Sequence, residues 1–275
     1  MSKPLVSVVI TCYNLGQYLL AALQSVLAQT YPQVEVIIVN DGSNEKQTLA
    51  VLASLAGKKS IKIINLSNGG AARARNQGIK QAKGEYICCL DADDKLHPDY
   101  LSKCMAVFLS RGDATNLGIV SSDYRCFGQS REYVQVSDYN PIALAACGQL
   151  HVSSVFKKSC WSQVGGYWQQ IAGHEDWEFW LRLVAAGFTW QVVKEPIFYY
   201  RRRCNSKFAR SNKKRQLIRE QIYTHNQEFY QKHASEIIAY LQELNYQHAK
   251  ILLKFKHSFL GGIYTNCKAW LKKHE

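Results

Sequence analysis

Three carboxylates crowd the end of an apolar run: Tyr86–Leu90 leads directly into Asp91, Asp93 and Asp94. Like charges at close range repel, and burial adds a desolvation cost, so the cluster calls for a cation. Asp91–Ala92–Asp93 offers two hard oxygen ligands. Mg2+ or Mn2+ typically takes one or two protein carboxylates, with phosphate oxygens and water completing the shell. On spacing alone most Asp-x-Asp triplets are surface turns or helix caps; position at the end of a parallel-type strand sets this one apart. Asp94 reads as a cap for the turn that follows.

Four further clusters carry chemistry. Asn40–Asp41–Gly42–Ser43 has the composition of an ordinary turn, yet a carboxylate at a strand end can also accept a nucleobase N–H. Gly69–Gly70 precedes a helix bearing Arg73, Arg75 and Asn76, and a helix start with guanidinium groups suits phosphate. His174–Glu175–Asp176 opens a Trp-rich helix. Acids there stabilise the positive helix end, and the same placement keeps Asp176 ionised, as a general base requires. Finally, "YYRRRCNS" is either a charged surface run or a loop whose arginines meet a diphosphate leaving group. The chain contains no GxGxxG, no GK[ST] and no HExxH, so dinucleotide, P-loop and zinc-hydrolase readings lack support.

Parallel strands separated by helices would place these groups together. Val6–Ile10, "VEVIIVNDGS", "IKIINL" and "EYICCL" read as strands, and the segments between them as helices. Such a pattern implies right-handed crossovers and a mainly parallel sheet, with ligands bound beyond the carboxyl ends of the strands. Thr11–Asn14, Asn40–Ser43 and Asp91–Asp94 all fall at such ends. In the second half, "YVQVSDY", "HVSSVFKK", "FTWQVV" and "PIFYYRRR" read as strands. "EDWEFWLRLVAAG" reads as a helix stopped by Gly187. Beyond about Ser211 a polar helical segment carries a loose stripe of Ile218, Ile222, Phe229, Ile237 and Leu241.

The 275 residues suffice for one large domain plus an appendage. The net charge of +13 is uneven: from Lys194 onward 17 Lys and Arg stand against 6 Asp and Glu. That basic tail is a solvated helical face, or it meets an anionic membrane or polyanionic substrate. No nucleic-acid recognition motif accompanies it. Nine scattered cysteines without a CxxC pair fit a reducing compartment. No signal peptide or spanning run is evident, and a cytoplasmic protein, peripheral on the inner membrane face, is expected.

In this order, "VSVVITCYN", "VEVIIVNDGS", "GGAARARNQGI", "GEYICCLDADD" and "EDWEFWLRLVAAG" resemble the blocks of glycosyltransferase family 2, an inverting group with a GT-A fold. The resemblance runs from about Val6 to Ser206. It implies a GT-A domain over residues 1–210, with a Rossmann-like, mainly parallel sheet flanked by helices, and a basic helical C-terminal extension over residues 211–275. It further implies an enzyme that moves one sugar from a UDP-sugar to a hydroxyl of a glycan or lipid-linked acceptor. Thr11, Tyr13 and Asn14 would line the base and ribose pocket, and Asp41 would contact the base. Arg75 would approach the diphosphate. Asp91, Ala92 and Asp93 would form the DxD element, with Asp93 and Asp91 holding Mn2+ or Mg2+. Asp176 would be the base, with Glu175 the alternative, and Arg201 and Ser206 would hold the diphosphate. Thr11 stands where the block usually has Pro. Arg203 stands where a His often lies two residues after the Arg; His151 and His174 are candidate substitutes. The QxxRW block of processive synthases is absent. A non-catalytic nucleotide-sugar binder is the alternative reading, and the stripe in the extension is a candidate dimer surface.

Overall fold

The computed structural model describes residues 3–58, 60–111, 116–203 and 214–256. Ser206 and residues 211–213 and 257–275 of the expected extension lie outside them.

The first half alternates strand and helix: β1 (Val6–Cys12), α1 (Gly16–Leu27), β2 (Val34–Asp41), α2 (Lys46–Leu55), β3 (Ile61–Leu66), α3 (Ala71–Gln81) and β4 (Tyr86–Asp91). β1 is buried along its whole length, as expected for a β-branched run covered on both faces. Leu19, Ala22, Leu23 and Val26 give α1 its buried stripe at the i, i+3, i+4, i+7 spacing of a helix. α3 lies so close to the sheet that a Cβ at Gly78 would meet Val9 Cγ1 at 2.3 Å.

The four strands order as β3-β2-β1-β4, all parallel. Their register pairs Thr11 with Asp91 and Cys12 with Asn40, so the polar strand ends reach one common edge.

Past β4 the chain runs through β5 (Lys95–Leu96), α4 (Tyr100–Arg111), β6 (Leu117–Gly128), β7 (Tyr133–Val134), α5 (Pro141–Cys147), β8 (Val155–Lys157) and α6 (Lys158–Gln163). Then follow α7 (Glu175–Ala185) and β9 (Thr189–Arg202). Here the sheet becomes mixed: β8 joins β4 and β6 antiparallel, whereas β6 and β9 pair in parallel. Three strand expectations are corrected. "HVSSVFKK" contributes only β8, and "YVQVSDY" only the two-residue β7. "FTWQVV" and "PIFYYRRR" form one strand, with the irregular register around Asp123 absorbing Pro196, which cannot donate a ladder hydrogen bond.

After β9, α8 (Arg215–His225), α9 (Gln227–Lys232) and α10 (Ala234–Lys256) complete the described chain. Ile218, Ile222 and Ile237 are buried against Ala145 and Leu181. The expected dimer stripe is therefore spent largely within the chain. Undocking it would forfeit roughly 1.5–3 kcal/mol per isoleucine. Leu241 alone of the stripe remains 41% exposed.

Candidate functional site

Arg75 is the hub of the strand-end edge. Its side chain is 3% exposed. One terminal nitrogen donates to Asp91 Oδ1 at 2.7 Å and the other to Glu175 Oε1 at 2.6 Å. A guanidinium so buried is tolerable only when paired, and here two carboxylates share it. Thr11 Oγ1 also donates to Asp91 Oδ1, at 3.1 Å. Thr11, Arg75, Asp91 and Glu175 thus join β1, α3, β4 and α7, with both terminal nitrogens of Arg75 on carboxylates of the chain itself. Ala92 is fully buried beneath them, and its N–H donates to the Thr11 carbonyl.

Asp93 and Asp94 face the end of β9. Arg203 Nε meets Asp93 Oδ2 at 2.7 Å, Arg201 Nε donates to the Asp93 carbonyl at 2.8 Å, and the Arg201 N–H donates to Asp94 Oδ1 at 2.7 Å. The Arg201 guanidinium lies between two rings, 4.2 Å from the Phe127 centroid and 4.4 Å from that of Tyr18. Burial first, then the Asp91 charge, push the Asp93 carboxyl above its usual range, while Arg203 pulls it down. Asp94 is pushed up more strongly, by burial and then by Asp93 and Asp91. Asp94 therefore does more than cap a turn: it fixes the end of β9 onto the carboxylate loop.

That electrostatic excess suits a divalent cation. Among the described residues no group of three His, Cys, Asp or Glu side chains is arranged to hold a metal. Asp91 and Asp93 supply two hard donors, which is the number a cation completing its shell with phosphate and water uses. His151 is half-buried, stacked on Phe198 with Nε2 3.2 Å from the Ser122 carbonyl oxygen, and burial lowers its imidazole to about 3, which keeps the ring neutral.

Asp41 is occupied locally. Its two oxygens accept the N–H groups of Gly69 and Gly70, each at 2.9 Å, fixing the turn into α3 where Gly70 has φ +87°. Asn14 adopts φ 52°, a region Asn tolerates better than most residues. Its Oδ1 accepts from the N–H groups of Asn44 and Glu45, tying the loops after β1 and β2 together. Tyr13 is 45% exposed on this edge.

Asp176 is the second residue of α7, behind His174 at φ 53°. Its Oδ1 accepts the Trp177 N–H at 2.9 Å. The helix start alone would lower its pKa. Burial outweighs that: desolvation first and Glu175 second push the carboxyl above 3.8, against His174, Arg75 and the Trp177 N–H. Two residues that sequence reasoning missed adjoin this site. Burial chiefly, then Cys126, push up the Tyr124 phenol, with Asp176 contributing; burial, then Asp94 and Asp91, push up that of Tyr200. Both lie on the paired strands β6 and β9, 6.2 Å apart between centroids. Tyr200 stands in the strand-like run "PIFYYRRR", whereas Tyr124 stands on β6, a strand that the sequence reading did not anticipate.

The model of the family described as "Glycosyl transferase family 2" matches residues 7–159. Chondroitin synthase of Pasteurella multocida (strain Pm70) is 32% identical over 196 residues, which cover 67% of this chain and 19% of that protein. The chain thus spans about a fifth of the length of that relative. The crystal structure of S. aureus TarS 1-349 in complex with UDP superposes with a TM-score of 0.60 at 21% identity, covering 73% of this chain and 61% of that one. Mannosyltransferase PcManGT from Pyrobaculum calidifontis, in complex with GDP-Man and Mn2+, gives a TM-score of 0.56 at 18% identity, covering 72% of this chain and 57% of the other. These likenesses show a GT-A type fold. With the family model matched over more than half its length, the chain belongs to glycosyl transferase family 2 and is a glycosyltransferase.

Proposed function

We propose that this chain transfers one sugar from a nucleotide-diphosphate sugar, UDP-linked, to a hydroxyl of a glycan or lipid-linked acceptor, with inversion at the anomeric carbon. The observation that carries the reading is Arg75. One buried guanidinium holds Asp91, on the donor side, and Glu175, the neighbour of Asp176, in a single frame. The UDP in the TarS complex supports the choice of donor.

Thr11, Tyr13 and Asn14 would line the nucleoside pocket. Asp41 would accept a base N–H on lone pairs left free by the glycine amides. Asp91 and Asp93 would hold Mn2+ or Mg2+, which when bound supplies neutralisation of the diphosphate charge. Arg201 and Ser206 belong to the segment that would meet the diphosphate.

In the transfer step the acceptor hydroxyl gives its proton to the Asp176 carboxylate. The acceptor oxygen forms a bond to the anomeric carbon on the face opposite the diphosphate. The bond from that carbon to the diphosphate oxygen breaks, and its electron pair leaves with UDP. The raised Asp176 carboxyl makes it the better base, because Glu175 is committed to Arg75. The basic tail would bring the enzyme to an anionic membrane surface where a lipid-linked acceptor is met.

UDP release from a donor panel, with Mn2+ and with and without acceptors, tests the reading. Asp93→Ala should lose both turnover and metal-linked UDP binding. Asp176→Asn should keep UDP binding while transfer falls about 10²–10⁴-fold. Full activity of Asp93→Ala, or in excess EDTA, would sink the metal assignment; retained transfer in Asp176→Asn would move the base elsewhere.

A further inference from the structure

We infer that Arg203 is the chain's own counter-ion for Asp93, and that it exchanges this carboxylate for the donor's diphosphate when a divalent ion binds. The inference rests on the donor and metal reading above.

The two arginines at the end of β9 are held differently. Arg201 is fixed at both ends: its backbone N–H is on Asp94, its Nε is on the Asp93 carbonyl, and its guanidinium lies between Phe127 and Tyr18. Moving it would break all of these contacts. Arg203 lies just past the strand, with its side chain 28% exposed. Its one short contact among the described residues is the ion pair with Asp93 Oδ2, supplemented by a distant approach to the Tyr18 ring at 5.7 Å. A change of rotamer is enough to release it. Arg201 is thus the post and Arg203 the movable cation.

Charge requires the exchange. Asp93 is 12% exposed and stands beside Asp91, so it needs a positive partner in every state. A guanidinium and a divalent ion on one carboxylate repel each other strongly at that separation. Arginine stays protonated and cannot ligate a metal, so at this position, unlike a histidine, it competes with the ion. Once displaced, its planar fork matches phosphate oxygens in bidentate fashion. Arg203 therefore opposes metal binding without nucleotide and supports nucleotide binding once metal is present, which favours loading of the metal and diphosphate together.

The test uses the full chain with Arg203→Ala and Arg203→Gln, their folding checked by thermal melting. Calorimetry first titrates Mn2+ without nucleotide, then UDP at saturating Mn2+. Both variants should bind Mn2+ about tenfold more tightly and UDP about tenfold more weakly than the wild type, as expected for one part-buried ion pair. Asp93→Ala should abolish Mn2+ binding in either background. Unchanged or weaker Mn2+ binding in the Arg203 variants overturns the exchange, and so does tighter Mn2+ binding with unchanged UDP affinity. If neither wild type nor variants show Asp93-dependent Mn2+ binding, the metal reading itself fails and takes the exchange with it.

Discussion

Asp176 is where two opposing fields meet, and the balance between them is measurable. The α7 N-terminus, Arg75 and His174 favour the carboxylate, while burial and Glu175 favour the acid and prevail. A general base works only when deprotonated, so transfer should fall on acidification through a single ionisation displaced above 3.8. The linkage to stability has the opposite sign. A folded-state pKa raised above the unfolded value makes the native state bind more protons, so stability from this group declines as pH rises through the folded pKa. Asp176→Asn removes both effects. Its melting temperature relative to wild type should increase with pH across that window, while its residual rate loses the part of the acid limb that Asp176 supplies and keeps any that Asp93 contributes through the metal. A wild-type acid limb at the ordinary aspartate pKa, or a melting difference independent of pH, would contradict the burial argument. At this scale residue types were legible in the sequence, because Asp91, Asp93 and Asp176 sit at recognisable strand and helix ends. Their partners were not. Arg75 reaches Glu175 across 100 positions, and Arg203 reaches Asp93 across 110, and local spacing says nothing about such pairs.

α7 must hold Asp176 steady, and a buried charge network behind it does so. Glu178 is fully buried and takes Arg182 on both oxygens, at 2.6 and 2.9 Å. His225 of α8 lies 2.7 Å from the same Glu178 Oε1 and stacks on Trp168. Arg182 continues to the carbonyls of Val164 and Gly166, so one carboxylate ties α7 to α8 and to the loop after α6. Glu178→Ala leaves Arg182 with a part-buried uncompensated charge. It should cost about 3–5 kcal/mol in urea unfolding, with Glu178→Gln losing less because it still accepts one hydrogen bond. Equal, small losses would show that the network is dispensable. Nothing in the sequence of α7 marks Glu178 as buried, since its partner His225 on α8 lies 47 positions away. The same limit explains the second half of the sheet. β1 to β4 carry their own apolar signature, whereas β7 and β8 are shorter than the runs read as strands there and the twelve-residue β6 is not read as a strand at all. β9 conceals its continuity behind Pro196, which only the irregular pairing with β6 accommodates.

Charge is uneven along the chain, nearly neutral over residues 1–193 and basic from Lys194 onward, a stretch that begins with the site arginines Arg201 and Arg203. Residues from Lys194 onward carry a net +11 of the total +13. Ile218 and Ile222 of α8 and Ile237 of α10 are turned inward, while Ile238, Leu241 and Tyr246 stay exposed on α10. No helix among the described residues is long and apolar enough to cross a membrane, so attachment to a bilayer through this part would be at its surface. Basic side chains near an anionic leaflet contribute about 1 kcal/mol each. Screening limits this to charges within roughly 10 Å at ordinary salt, and a fraction of the eleven excess charges would suffice for reversible binding. The 275-residue chain should therefore float with vesicles containing anionic phospholipid at low salt, stay behind with purely zwitterionic vesicles, and release as salt rises. Equal flotation with both lipids would assign the contact to the exposed apolar residues instead. No flotation at low salt would leave the basic end to a soluble polyanionic acceptor, because a charge excess of this size on one part of a chain still attracts anions of any origin.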